Sequence, residues 1–113
     1  MAMDERKRRI GRNEALFREV NERIERVTEA LQVTTEKIAI LCECGEESCM
    51  DRLEVSLPEY ERVRADSTLF FILPNHEKPD VEDVVEKHDG YDIVRKKPGG
   101  AAELARDLDS RTD

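Results

Sequence analysis

Residues 42–49 read Cys42-Glu43-Cys44-Gly45-Glu46-Glu47-Ser48-Cys49, and they hold every cysteine of the 113-residue chain. Three thiols crowded round a glycine-containing turn point to a metal knuckle, and zinc held by thiolates plus a histidine is the expected occupant. In an extended segment, residues two apart face the same side. Cys42 and Cys44 can therefore reach one ion together. Gly45 permits a sharp turn, and Glu46-Glu47-Ser48 brings Cys49 round as the third ligand. The two-residue spacing of common zinc fingers is absent. The alternative, three thiols packed as small hydrophobes, suits a loop of glycine, glutamates and serine poorly.

A structural zinc site takes four ligands. His76, in Pro74-Asn75-His76-Glu77 directly after an apolar run, is the first candidate for the fourth. His88, water, a carboxylate such as Glu43 or Asp51, and a ligand from a partner remain open. Glu77 is either a carboxylate that orients His76 or an exposed loop residue.

Reading outward from the knuckle, Lys37–Cys42 is β-prone and mostly apolar, as a buried strand is. Arg52–Ser56 alternates Leu53 and Val55 with polar residues, and the two segments are expected to form a hairpin closed by the metal. Ser56-Leu57-Pro58-Glu59 is a capping-box pattern opening a helix that runs to about Arg64. Leu69–Leu73 suits a central strand. In 80–88, Val81, Val84, Val85 and His88 fall at helical spacing, with Asp80 to cap and Gly90 to terminate. The spacing predicts a helix there, against the rival reading of Asp89-Gly90 as a hairpin turn. A strand over Tyr91–Lys96, a Pro98-Gly99-Gly100 hinge and a helix over 101–108 complete the chain.

Upstream, Asp4–Leu31 is a long helix. Ile10, Phe17, Ile24 and Leu31 recur every seven residues, with Val20 and Val27 interleaved and Asn13 on the same seam. At ~1.5 Å per residue this helix is about 40 Å long, more than the remaining domain covers. Ile10, Asn13, Phe17, Val20 and Ile24 are therefore the expected partner-binding residues, through a second copy or another protein. The competing reading packs Phe17–Leu31 on the chain's own domain. The fold class is α+β: a long N-terminal amphipathic helix (1–33), then a small four-stranded sheet with short helices, stabilised by a zinc knuckle (34–108), and a tail (109–113).

Charged residues make up 41% of the chain, apolar residues 38% and aromatics 4%. So small a core benefits from a metal staple. The net charge is −8. Five basic against two acidic residues give residues 1–12 a charge of +3, leaving −11 on the rest. An acidic body disfavours nucleic acid, which is left only the basic start as a weak contact. No apolar run approaches the ~20 residues of a membrane span, and no secretory signal is expected, so the chain reads as cytoplasmic. No His-Glu-x-x-His, deaminase or phosphate-loop pattern is present, and the chain is not read as an enzyme.

Several separated blocks resemble one family. They are residues 12–24 (Arg-Asn-Glu-Ala-Leu-Phe-Arg-Glu-Val-Asn-Glu-Arg-Ile), Cys42-Glu43-Cys44 with Cys49, Glu59-Tyr60-Glu61-x-Val63-Arg64, Pro74-x-His76-Glu77 and Asp89-Gly90-Tyr91. Together they are similar to a group of small bacterial proteins, common among actinobacteria, that has no established function. The resemblance spans residues 12 to about 108 and implies no activity. The expected role is a zinc-stabilised protein-interaction or regulatory module. The alternatives are a thiol-based redox or metal sensor, and weak nucleic-acid binding through the basic arm.

Overall fold

The computed structural model describes residues 5–30, 37–46, 48–109 and 111. The chain is α+β, with element order α1 (Glu5–Ala30), β1 (Ile38–Leu41), β2 (Arg52–Val55), α2 (Leu57–Arg64), β3 (Leu69–Ile72), β4 (Glu82–His88), β5 (Tyr91–Lys96) and α3 (Gly100–Asp107). The expected single four-stranded sheet is instead two sheets. β1 and β2 form an antiparallel pair, and β3-β5-β4 form an antiparallel three-stranded sheet. The end of α1 at Leu31 and the break at Thr34-Thr35-Glu36 lie outside the described residues.

The helix expected over 80–88 is strand β4. Asp89-Gly90 is the two-residue turn of a hairpin in which His88 faces Tyr91, and Gly90 takes φ +91°. The valines misled because the register slips between Val84 and Glu86. Val84 sits opposite Val94, while Val85 is the extra residue of the bulge and is exposed. A bulge breaks the alternation by which a strand is recognised, and here it leaves apolar residues at a spacing that imitates a helix.

β3 is buried along its whole length and is covered on both faces. Phe71 looks towards Ile40, Leu53, Val55, Tyr60 and Val63, and its ring stacks on Tyr60 at 5.7 Å. Phe70 looks the other way, among Cys42, Cys44, Val94 and Ala105. There it meets two cations, the Arg18 guanidinium at 4.3 Å and the Lys96 ammonium at 5.1 Å from the ring centre. α2 starts as its sequence directs: the Ser56 hydroxyl accepts from the Glu59 N–H at 3.2 Å, and Pro58 fills the first turn.

α1 packs with an unexpected side inward. Besides Ile10, Ala15 and Phe17, the buried residues of this helix are Glu14, Arg18, Asn21, Glu22 and Glu25. Each polar group is met by a distant one. Arg18 donates to the carbonyls of Ser67 and Ala105 at 2.6 and 2.8 Å. Glu22 accepts from the Tyr60 hydroxyl at 2.6 Å and from Arg64 and Arg111. Glu14 holds the Lys96 ammonium, which Glu82 also meets at 2.6 Å. Of the expected partner-binding seam, Ile10 and Phe17 are buried within the chain, and Asn13 donates to the Gly45 carbonyl at 3.0 Å. Val20 and Ile24 stay half-exposed.

Candidate metal centre

Three segments converge on one point. The chain leaving β1 carries Cys42 and Cys44, the turn that follows carries Cys49, and the loop after β3 carries His76. One ligand atom from each lies within 4.8 Å of all the others. Backbone conformation explains the convergence. The Cys42 N–H donates to the Asp51 carbonyl at 2.9 Å, which carries the β1–β2 pairing up to the knuckle. The Cys49 N–H closes a turn onto the Glu46 carbonyl at 3.0 Å. Pro74-Asn75 makes the turn that presents His76. The His76 N–H donates to the Leu73 carbonyl at 3.1 Å, and Asn75 takes φ 71°, a left-handed value that asparagine tolerates. His76 directs Nδ1 at Cys42 Sγ (3.6 Å) and Cys49 Sγ (3.7 Å).

Alternation sorts the other candidates. Cys42 and Cys44 share a side, so Glu43 faces away from them. Its carboxylate accepts from Asn21 Nδ2 at 2.7 Å and from the Phe71 N–H at 3.0 Å, while its own N–H donates to the Phe71 carbonyl at 2.8 Å. Glu43 is thus a clamp between α1, the knuckle and β3, and not one of the converging donors. Asp51 is not among them either; its carboxylate approaches Cys49 Sγ only at 4.0 Å. Glu77 is half-buried, and its Oε1 has no hydrogen-bond partner among the described residues. His88 lies elsewhere, stacked on Tyr91 at 4.8 Å and bonded to Glu86 at 2.7 Å. Glu59, Glu86 and His88 also come close together. Arg62 already bridges the two carboxylates there, at 2.7 Å each, so that group has its cation.

The thiols without a cation are electrostatically frustrated. A hydrogen bond from Cys42 draws Cys44 down to about 4 against the opposing effect of burial. Donating that bond, together with burial, pushes Cys42 above the usual thiol range, and burial raises Cys49. Close packing therefore lets one sulfur ionise at the expense of its neighbours. A cation removes that competition.

The knuckle is seated on α1. Gly45 has φ +82°, and a Cβ there would lie 2.8 Å from Glu14 Cγ and 2.9 Å from the Ile10 carbonyl oxygen. Only glycine fits. Asn21 works alongside it: its side-chain amide accepts from the Leu41 N–H at 2.8 Å and donates to the Leu41 carbonyl at 2.9 Å, extending β1 as a peptide group would. Sequence reasoning did not single out Asn21 or the clamp role of Glu43. The alternation of Glu43 between two cysteines was the available signal for the latter.

Fold and site together define a small α+β protein with a Cys3His cluster compatible with a metal ion. Compared with protein-family models, curated proteins and solved structures, the chain finds no match. No helix among the described residues is long and apolar enough to cross a membrane.

Proposed function

We propose that this chain is a zinc-stabilised module that acts by binding another protein in a reducing, cytoplasmic setting, with the metal structural and not catalytic. The convergence of the four donors carries the reading. Two ligands of a tetrahedral zinc, with Zn–S of about 2.3 Å and Zn–N of about 2.05 Å, stand about 3.6 Å apart. The two thiol–imidazole separations are 3.6 and 3.7 Å. Four protein donors leave no position for a substrate or an activated water. A cleft of about 430 Å³ beside the knuckle is lined by Arg6, Arg9, Asn13 and Lys78 among others, and by none of the four donors. The ion would tie the two-stranded sheet to the loop after β3, adding to the backbone hydrogen bond from Glu43 to Phe71 that already links the end of β1 to β3.

Elemental mass spectrometry on protein purified without added metal, run beside native mass, tests the reading. One zinc per chain is expected, lost in Cys44→Ser. Metal-free, folded protein with three free thiols would overturn it.

One observation favours a second reading, a thiol-based sensor: Cys49 is the one partly exposed thiol of the cluster, Cys42 and Cys44 being buried. Peroxide would take two electrons from a pair of thiolates, leave as water, and release zinc as the disulfide forms. Reversible zinc loss in mild peroxide would support this; thiols inert in the folded protein would exclude it. The nucleic-acid alternative is weakened because Arg6 of the basic start is paired with Asp80.

A further inference from the structure

Apart from the buried Ile10, Ala15 and Phe17, the described part of α1 departs from the pattern of an ordinary surface helix. Such a helix buries its apolar stripe and shows its charges to water. This one buries Glu14, Arg18, Asn21, Glu22 and Glu25 and leaves Leu16 and Val27 exposed at 59% and 57%. Leu16, Val20, Ile24 and Val27 follow one another at intervals of four, four and three residues. At 100° per residue they fall within an arc of about 80°. The stripe is about 17 Å long, three helical turns.

Its flank carries more basic than acidic residues. Arg12, Arg23 and Arg26 border the stripe on one side and are all exposed. Glu19 lies between them, 3.9 Å from Arg23 and 3.5 Å from Arg26, and offsets one of the three. Arg12 has no ion pair among the described residues. This basic rim belongs to a chain whose net charge is −8, so it is a local feature and not a reflection of the whole surface.

We propose that this stripe is the docking surface and that its partner is an acidic amphipathic helix, with apolar side chains packed on Leu16, Val20, Ile24 and Val27 and carboxylates along the arginine rim. The inference rests on the interaction-module reading above and supplies the chemistry of the partner. Charge decides among the occupants. A second copy packed antiparallel would set one arginine rim against the other, a like-charge arrangement, and one packed parallel would give neither rim a carboxylate to face. Nucleic acid would lay phosphates over four aliphatic side chains, which offer a backbone no contact it can use. A helix with glutamates beside its apolar seam satisfies both parts of the surface, in the helix-to-groove mode.

The test uses the metal-loaded full chain and two synthetic helical peptides with the same leucine seam, one flanked by glutamates and one by lysines. Binding is followed by fluorescence anisotropy. The glutamate peptide is expected to bind and the lysine peptide not. Leu16→Glu with Val27→Glu should abolish binding. Arg12→Glu with Arg23→Glu should weaken it about tenfold and flatten its salt dependence. Arg52→Glu, on the far strand β2, should leave it unchanged. Equal urea midpoints for all variants would show that each has folded. No binding of the glutamate peptide, equal binding of both peptides, or a dimer dispersed by Leu16→Glu would each overturn the proposal. A photo-crosslinking residue at position 16, used in cells, separates the two levels. Cross-linking to a protein without peptide binding overturns only the acidic partner; neither cross-link nor peptide binding overturns the interaction module as well.

Discussion

Replacing Glu43 tests the architecture where knuckle, helix and sheet meet. This side chain is fully buried, and both oxygens accept from N–H donors, Asn21 Nδ2 at 2.7 Å and the Phe71 backbone at 3.0 Å. Burial raises its pKa, opposed by those two hydrogen bonds and by the charges of Arg18 and Arg64. Glu43→Ala leaves two buried N–H bonds without acceptors, that of the Phe71 backbone and the one of Asn21 that the Leu41 carbonyl does not hold. Each orphan costs about 1–3 kcal/mol, so a loss of about 4 kcal/mol is expected. That is a large share of the roughly 5–15 kcal/mol that holds a domain together. Glu43→Gln keeps one acceptor but turns an NH2 group towards the other donor, and about 2 kcal/mol should be lost. Urea unfolding of the metal-loaded proteins at pH 7 reads both values, with metal content measured in parallel. An alanine variant losing less than about 1 kcal/mol would refute the clamp. A folded glutamine variant without metal would refute the separation of Glu43 from the ligand set.

Three further outcomes are expected. Gly45→Ala should cost about 3 kcal/mol, because it adds a collision with Glu14 and the Ile10 carbonyl to the strain of φ +82°. Gly90→Ala, at φ +91° in open space, should cost only about 1 kcal/mol, and equal losses in denaturant melts would show that the knuckle does not rest on α1. Glu14→Gln should stabilise the protein as pH rises. Burial holds the Glu14 carboxyl well above its ordinary range, with Lys96 opposing and Glu82 reinforcing the shift. A raised folded-state pKa means that the fold loses stability above the unfolded value of about 4.3, as the unfolded chain ionises and the folded one resists. The difference between Gln variant and native protein should therefore grow as pH rises through and above the unfolded value, and a flat or negative difference would refute it. Chelation at pH 7 should lower the calorimetric midpoint by at least about 10 °C, and an unchanged midpoint would rule out a structural metal.

What the sequence disclosed and what it hid divide along the range of the interactions. The knuckle was legible because its geometry is local: Cys42, Cys44 and Cys49 are close in sequence, and His76 follows a recognisable buried strand. β1, β2, β3 and β5 were legible because each is apolar or alternating without interruption. β4 was not, since the bulge at Val85 breaks the period that identifies a strand, and its pairing with β5 outweighs the local helical spacing. The division into two sheets also escaped, because no local pattern says whether β2 and β3 pair. The rotation of α1 was hidden for a similar reason. Asn21 is satisfied by Leu41, and Arg18 by Ser67 and Ala105. Without knowledge of those partners, Ile10, Phe17 and Ile24 looked like the only seam.

That rotation follows from how α1 is held. An apolar inner face would bind the sheets without strong preference for angle, because apolar burial is non-directional. It would also have favoured burying Leu16, Val20, Ile24 and Val27. The groups that α1 does bury are directional. Asn21 fits only against the Leu41 peptide, Arg18 only between two carbonyls, Glu22 only where Tyr60, Arg64 and Arg111 meet. Turning the helix by one residue, 100°, would part them from these partners and leave buried polar groups unpaired, at a cost greater than the apolar stripe could return. The buried polar face therefore fixes the direction in which the stripe points. The same anchors extend to the knuckle, since Asn21 bonds both Leu41 and Glu43 beside the thiols. On the proposed reading of a bound metal, its loss would loosen β1 at the point where it orients α1, which would couple the cluster to the outward stripe.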